Sequence, residues 1–436
     1  MSDPRDVYLA YQQRAARAPA PPDDAPSRFR GAGADAADEV GRAVDALRPE
    51  LEALAVSLHE EPEIGFEEHR SAAKLAALLG AHGVEAEVGV FGLDTAVRAT
   101  VGSGDGPHFA IIAEYDALPG VGHACGHNII AGIGVGAFLA AAPIAQRLGA
   151  RLSLIGTPAE ENGGGKEHIV RAGGFDDVDA AGMVHPTGGS AVSPVSGQRT
   201  TGVRRVAVTY RGRAAHAAGA PWLGLNALDA AVTAYQSVAQ LRQHILPIDR
   251  IHGIITDGGA APNVVPERAS ALFYVRSGEI DTLRALTDRV VAALEGAALA
   301  TGTSAEIEVD PVPPYLPLET NVELTKRWAG ALAARGRELP PSPAAPSQGG
   351  PSTDMGNVTQ FIPAIHPSIG LGGPADVHPH NGAFAEWTVQ PAAFDAMADA
   401  AAALGATAVD YLADAELRAV AAAEFEARGG RYRWEG

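Results

Sequence analysis

Cysteine is almost absent: the 436 residues hold one, Cys125. A single thiol cannot form an internal disulfide, which excludes a bridge-stapled secreted scaffold. Positive charge is scarce as well. Lys and Arg number 33 against 52 Asp and Glu, a formal charge of −19. That surplus of acid argues against nucleic acid or an anionic membrane as a partner. Long hydrophobic runs are missing too. The longest, 129–143, is broken by glycine and reads as too short for a membrane span. Residues 1–6 lack a basic region followed by an apolar core, so no signal peptide is expected. What is present is 46% hydrophobic residues, which excludes disorder of the whole chain. The length exceeds one ordinary core and predicts two domains. A soluble, cytoplasmic protein is the class these features point to.

Residues 1–37 are rich in Pro, Ala and Asp and read as a loosely ordered arm, with Val7-Tyr8-Leu9 able to dock on the body. From Asp38 as N-cap, apolar residues at helical spacing predict a helix to about 59, kinked or split at Pro49. A second helix is predicted over 67–82, ended by Gly83. Strands at 95–101, 109–113 and 151–156 then alternate with a helix at 131–142, the pattern of an α/β layered sheet. The middle has a different rhythm. Strand 204–210, helix 225–244, strands 251–256 and 269–276, helix 280–300 and strand 304–309 make a β-α-β-β-α-β order. Helices at 321–335 and 391–415 follow. The expected architecture is one α/β domain in two segments, 38–197 and 312–436, with a smaller domain inserted at 198–311.

The chemistry-bearing residues gather at predicted strand ends, where sites of open α/β sheets lie. After strand 109–113 come Glu114, Asp116, His123, Cys125 and His127. Glu160-Glu161 follow strand 151–156, His185 follows the apolar 180–184, and His378 and His380 follow the Gly/Pro-rich 370–374. Each alone is ordinary: a lone cysteine is usually a small buried apolar residue, and an adjacent Glu pair a solvated face. Together, thiolate, imidazole and carboxylate are the ligand types of borderline transition metals. Two successive glutamates point in opposite directions if extended, so one can hold metal while the other stays free as a base.

These stretches resemble the amidohydrolase branch of the aminoacylase/carboxypeptidase metallohydrolases, metallopeptidase family twenty, subfamily D. The resemblance is carried by Ala124-Cys125-Gly126-His127, Pro158-Ala159-Glu160-Glu161, His185-Pro186 and His380, and runs from about 59 to 412. It implies a mixed-sheet dinuclear metallohydrolase domain, with the β-α-β-β-α-β insert as a lid and dimerisation domain. It implies two divalent ions, Mn²⁺ or Zn²⁺, held by Cys125, His127, Glu161, His185 and His380. His380 is preferred to His378 because Phe384 follows it at the family's four-residue spacing. Glu160 is implied as the general base that takes a proton from a metal-bridging water as it attacks an amide carbonyl. Asp116 is implied to orient a ligand histidine. In the insert, His216 resembles the oxyanion-binding histidine, commonly supplied by the partner subunit of a homodimer. Asn263 resembles an Asn segment on the same face, and Arg276 a substrate-carboxylate arginine. The Gly-rich 349–357 resembles a substrate-side loop.

Most of the branch has Asp after Cys-Gly-His, and this chain has Asn128. With Glu114-Tyr115-Asp116-Ala117-Leu118-Pro119-Gly120 and Gly163-Gly164-Gly165-Lys166, that resembles two subgroups. One is the β-alanyl-lysine (Xaa-Arg) dipeptidases, the other the aminobenzoyl-glutamate hydrolases. The implied reaction is hydrolysis of an amide bond in a small N-acyl amino acid or dipeptide. Rival readings are an aryl-amide hydrolase or hydrolytic deaminase on the same site, a binding module without catalysis, and a thiol enzyme using Cys125 as nucleophile.

Overall fold

The computed structural model describes residues 4–16, 22–344, 350–374 and 376–435. Along them run α1 (Pro4–Ala15), α2 (Ala34–Glu60), α3 (His69–Ala81), β1 (Ala86–Val88), β2 (Val97–Val101) and β3 (His108–Glu114). Then come α4 (His127–Arg147), β4 (Arg151–Thr157), α5 (Gly165–Arg171), β5 (Ala180–Gly182), β6 (His185–Thr187) and β7 (Gly202–Arg211). Next are α6 (Ala227–Leu241), β8 (Arg250–Asp257), β9 (Arg268–Ser277), α7 (Ile280–Thr301), β10 (Ser304–Val309) and α8 (Val322–Ala334). The chain closes with α9 (Met355–Thr359), β11 (Ala364–Ile365), β12 (Ser368–Gly370), α10 (Gly382–Trp387), α11 (Pro391–Ala413) and α12 (Ala415–Ala427).

The chain divides into two units. The larger comprises Pro21–Gln198, Glu319–Pro346 and Asn357–Gly436. Its six-stranded sheet has the order β1-β2-β4-β3-β5-β11. The β1-β2 and β2-β4 pairs are antiparallel, and β4-β3, β3-β5 and β5-β11 are parallel. Every residue of β3 is buried, the mark of a central strand covered on both faces. The core is built on α2, α4 and α11, which pack on one another. Gly134 lets α4 lie close on β3, because a Cβ there would stand 2.8 Å from that of Ala113.

Several expectations change here. Helix α2 begins at Ala34, not Asp38, and runs unbroken through Pro49. Its buried Val40, Val44, Leu47, Leu51, Leu54 and Leu58 anchor both sides of the proline on the same core, and that burial overrides the local break. Helix α4 is 21 residues, longer than the apolar run inside it, since it starts at His127 and passes Pro143. By length and composition α4 and α11 could each cross a membrane, but 94% and 83% of their apolar windows are buried inside the protein. A helix that is apolar all round is one that sits inside a core.

The smaller unit comprises Met1–Ala20, Arg199–Leu318 and Ser347–Gly356. Its antiparallel sheet, β10-β7-β9-β8, is backed on one face by α6 and α7 around Val206, Tyr210, Phe273 and Leu286. Two segments differ from the 198–311 insert read in the sequence. Part of the expected loose arm is helix α1, held by Tyr8, whose hydroxyl accepts from Arg289 at 3.1 Å, and by an Arg14–Glu279 ion pair. The glycine-rich loop joins through Ser352, which accepts from Arg276 Nη1 at 2.6 Å and donates to the Thr201 carbonyl at 2.6 Å.

Candidate metal centre

Strand β3 delivers Glu114 and, two residues on, Asp116 to one side of its carboxyl end. The chain returns through Cys125 and Gly126, whose φ of 81° is a left-handed cap, and places His127 as the first residue of α4. Parallel β4 ends beside β3 and turns at Ala159 into Glu160-Glu161. His185 opens β6 after β5, and His380 sits in the loop after β12, its N–H donating to the Ala124 carbonyl at 2.7 Å.

These side chains converge. Cys125 Sγ lies 3.6 Å from His185 Nε2 and 3.4 Å from His380 Nε2. His127 Nε2 lies 3.9 Å from Glu161 Oε1 and 4.0 Å from Glu160 Oε2. Glu161 Oε2 stands 3.7 Å from His380 Nε2. Two ligands on one tetrahedral ion stand about 3.4–3.6 Å apart, given bonds of about 2.0–2.3 Å, so the sulfur-to-nitrogen spacings, hydrogen-bonded here, are also compatible with a shared ion. Two of the groupings are Cys125 with His127 and His185, and Cys125 with Glu161 and His380, with Cys125 common to both. His127 Nε2 and Glu161 Oε1 are buried with no hydrogen-bond partner among the described residues. Buried polar atoms rarely stay unpaired, and a cation is the partner these two fit.

The surroundings fix the imidazoles as ligands. His127 Nδ1–H donates to Asp116 Oδ1 at 2.8 Å and His185 Nδ1–H to the Pro186 carbonyl at 2.7 Å. Each bond turns Nε2 toward the cluster. Burial pushes the His185 pKa down to about 4, which keeps the ring neutral. Burial raises the Cys125 thiol pKa, so ion binding must release that proton. Burial works against Asp116, but the charge and hydrogen bond of His127, with the Glu161 N–H, hold the carboxyl below its ordinary range; Asp116 and Glu114 in turn raise the His127 pKa, so ion binding must release that ring's proton too. His378 is exposed, and its Nδ1–H donates to the Pro379 carbonyl.

The model of Peptidase family M20/M25/M40 matches residues 110–406. This chain belongs to that family. It is 36% identical over 383 residues to a mouse Xaa-Arg dipeptidase, covering 85% of this chain and 87% of that one. It is also 36% identical over 302 residues to one of the subunits of the Escherichia coli p-aminobenzoyl-glutamate hydrolase, covering 64% and 61%. A Bacillus subtilis structure described as a dinuclear metal-binding peptidase of the M20 family superposes with a TM-score of 0.62. It is 22% identical and covers 84% of this chain and 99% of that one. This M20 chain is a hydrolase with groups that could hold metal.

The M20 centre contains residues to which the sequence motifs assign no role. Glu114 is fully buried, ion-paired with buried Lys166, and its Oε2 lies 3.5 Å from His127 Nε2. The sequence places Glu114 among the acids at this strand end without a role, and its period-two spacing from Asp116 puts both on one side of it. Lys166, 52 residues away, carries no such signal. His366 is buried edge-on to His185, with ring centroids 5.7 Å apart, and burial lowers its pKa to about 3. The glutamate pair also departs from the extended case. Residues 160–162 form a turn, and both carboxylates approach His127.

In the smaller unit, His216 pairs with Val264, and the Ala217 N–H donates to the Asn263 carbonyl at 3.1 Å, so the two predicted segments are adjacent. His216 is exposed, and its Nδ1 accepts from the Ala218 and Gly219 N–H groups at 3.2 and 3.0 Å. That fixes Nε2 as the outward donor. Arg276 is half-buried, with its guanidinium 5.9 Å from the Tyr274 ring centroid.

Proposed function

We propose that this M20 hydrolase cleaves the amide bond of a small dipeptide or N-acyl amino acid, of the β-alanyl-lysine or Xaa-Arg kind. The observation that carries the reading is the convergence of Cys125, His127, Glu161, His185 and His380 around unpaired buried atoms, with Glu160 beside them. Two divalent ions, Mn²⁺ or Zn²⁺, would be held by those five residues and supply the Lewis acidity that activates water and polarises the amide carbonyl. Ionised Cys125, Asp116, Glu160 and Glu161 supply more negative charge than one divalent ion balances, and Lys166 offsets Glu114.

Glu160 accepts the proton of the attacking water as the C–O bond forms to give a tetrahedral oxyanion, then passes that proton to the nitrogen as the oxyanion collapses and the C–N bond breaks. Asp116 keeps His127 in the tautomer that presents Nε2. His216 offers its Nε2–H to the tetrahedral oxyanion, assisted by Asn263. Arg276 takes the substrate carboxylate. The segments 38–197 and 312–436 act as the catalytic domain and 198–311 as the lid. A cytoplasmic location is proposed with this reading, because a liganding thiol is best preserved under reducing conditions.

A substrate panel tests the reading. The chelated protein is assayed before and after Mn²⁺ or Zn²⁺ on β-alanyl-lysine, an Xaa-Arg dipeptide, p-aminobenzoyl-glutamate and N-acetyl amino acids. Ion-dependent release of the basic amino acid is expected. Preference for p-aminobenzoyl-glutamate would move the assignment to the aryl-amide reading, which the E. coli relative favours. Ammonia as product would mark a deaminase. Hydrolysis that survives chelation would reject the metal mechanism, and silence across the panel would reject the whole assignment.

A homodimer through the insert is proposed as well. Strand β8 is an edge strand with Ile254 61% exposed and Ile255 beside it, an unprotected apolar edge of the kind that pairs with a second copy. Light scattering after size exclusion is expected to give twice the chain mass, falling to one chain mass in Ile254→Arg. A wild-type protein at one chain mass would remove the dimer.

A further inference from the structure

We propose that Glu68 is the positioning residue of Glu160: its carboxylate clamps the Ala159 N–H and holds the left-handed turn from which Glu160 reaches the metal centre, while Asp116 anchors Glu161. The inference rests on the role of Glu160 as general base.

Ala159 has a φ of 57°. A residue with a Cβ disfavours that conformation by about 1–2 kcal/mol, so its surroundings must impose it. They do so from several directions. The Ala159 N–H donates to Glu68 Oε1 at 2.8 Å, and its carbonyl accepts from Gly163 at 3.0 Å. Gly65 lies against it so closely that a Cβ there would stand 2.9 Å from Ala159 Cα. Two residues on, the Glu161 N–H donates to Asp116 Oδ2 at 3.0 Å. The pair is therefore suspended between two buried carboxylates, Glu68 before it and Asp116 behind it.

Glu68 is placed for this task and not for a local one. It is the N-cap residue of α3, yet its side chain makes no capping bond to that helix. The carboxylate instead spans 91 residues of sequence to Ala159. Its other oxygen accepts from Thr95 Oγ1 at 2.8 Å, and the Thr95 carbonyl accepts from the Tyr115 hydroxyl at 2.6 Å. Tyr115 stands between Glu114 and Asp116, so this chain of bonds ties the end of β3 to the turn after β4. Glu68 is fully buried. Burial, reinforced by the charge of Asp116, pushes its pKa up to about 7. A neutral group of the same reach is therefore tolerated at this position, which makes Gln the conservative replacement.

The test compares reach with charge. Glu68→Gln keeps the reach and loses the charge; Glu68→Asp keeps the charge and loses the reach. Glu68→Ala loses both, and Glu160→Gln is assayed beside them. Each variant is measured for kcat, KM and bound metal. Expected are a fall in kcat of about 10²-fold for Glu68→Asp and Glu68→Ala, near-wild-type KM and metal content, and most of the wild-type kcat in Glu68→Gln. Full activity in Glu68→Asp, or an impaired Glu68→Gln beside an active Glu68→Asp, would overturn the clamp. So would a kcat loss that merely tracks lost metal or lost folded protein. If Glu68→Ala yields no folded protein, the Asp and Gln variants decide alone. An active Glu160→Gln would overturn the underlying reading instead.

Discussion

Glu160→Gln is expected to lower kcat by about 10³-fold, the middle of the range for loss of a general base, with KM and metal content near wild type. The side chain keeps its size and one acceptor oxygen but cannot take up the proton of the attacking water. Glu161→Gln is the informative contrast. Glu161 reaches two imidazoles, 3.9 Å from His127 Nε2 and 3.7 Å from His380 Nε2, whereas Glu160 stands 4.0 Å from His127 Nε2. Glu160 also lies within ligand reach of His127 and Glu161; on the proposed roles, loss of Glu161 should remove an ion and loss of Glu160 should not. Bound metal measured by mass spectrometry, beside kcat for both variants, separates the roles. Loss of an ion in Glu160→Gln with full occupancy in Glu161→Gln would exchange them.

Period and motif make much of this protein legible. The smaller unit shows it best. The apolar run 269–276 predicts a strand, and β9 spans Arg268–Ser277; the helix expected at 280–300 is α7, Ile280–Thr301. Each of those elements buries one face, so hydrophobic periodicity carries the whole signal. Legibility falls where tertiary packing decides. Nothing local marks α2 as continuous through Pro49, because the reason lies in the core that both halves share. Helix α4 starts four residues before the helix expected at 131–142, and those residues include His127, whose Nε2 faces the cluster. Glu68 and Lys166 are invisible as functional groups for a similar reason. Each acts on a residue far along the chain, 91 and 52 positions away, and neither spacing has a period.

Lys166→Met is expected to produce the largest loss of stability of any single change in the centre. Lys166 and Glu114 form an ion pair with both side chains fully buried. Burial works against ionised Glu114, but Lys166, together with the neighbouring imidazoles of His127 and His185, holds its pKa below the ordinary range. Removing the ammonium strands a carboxylate in low dielectric, and breaking such a pair from one side costs about 3–5 kcal/mol. In a unit of this size that corresponds to a fall in Tm of about 10 °C. The geometry adds a second expectation. Glu114 Oε2 lies 3.5 Å from His127 Nε2, so an ion held by His127 would replace part of the lost positive charge. The deficit should be largest in chelated protein and shrink when Mn²⁺ or Zn²⁺ is restored, by more than the same ion raises the wild-type Tm. Glu114→Gln in the Lys166→Met background should recover most of the loss, because the stranded charge is then gone. Scanning calorimetry on the three proteins, with and without ion, measures all of this. A chelated Lys166→Met protein that melts with the wild type would mean that Glu114 is not held as an anion, and the charge balance drawn for two ions would fail with it.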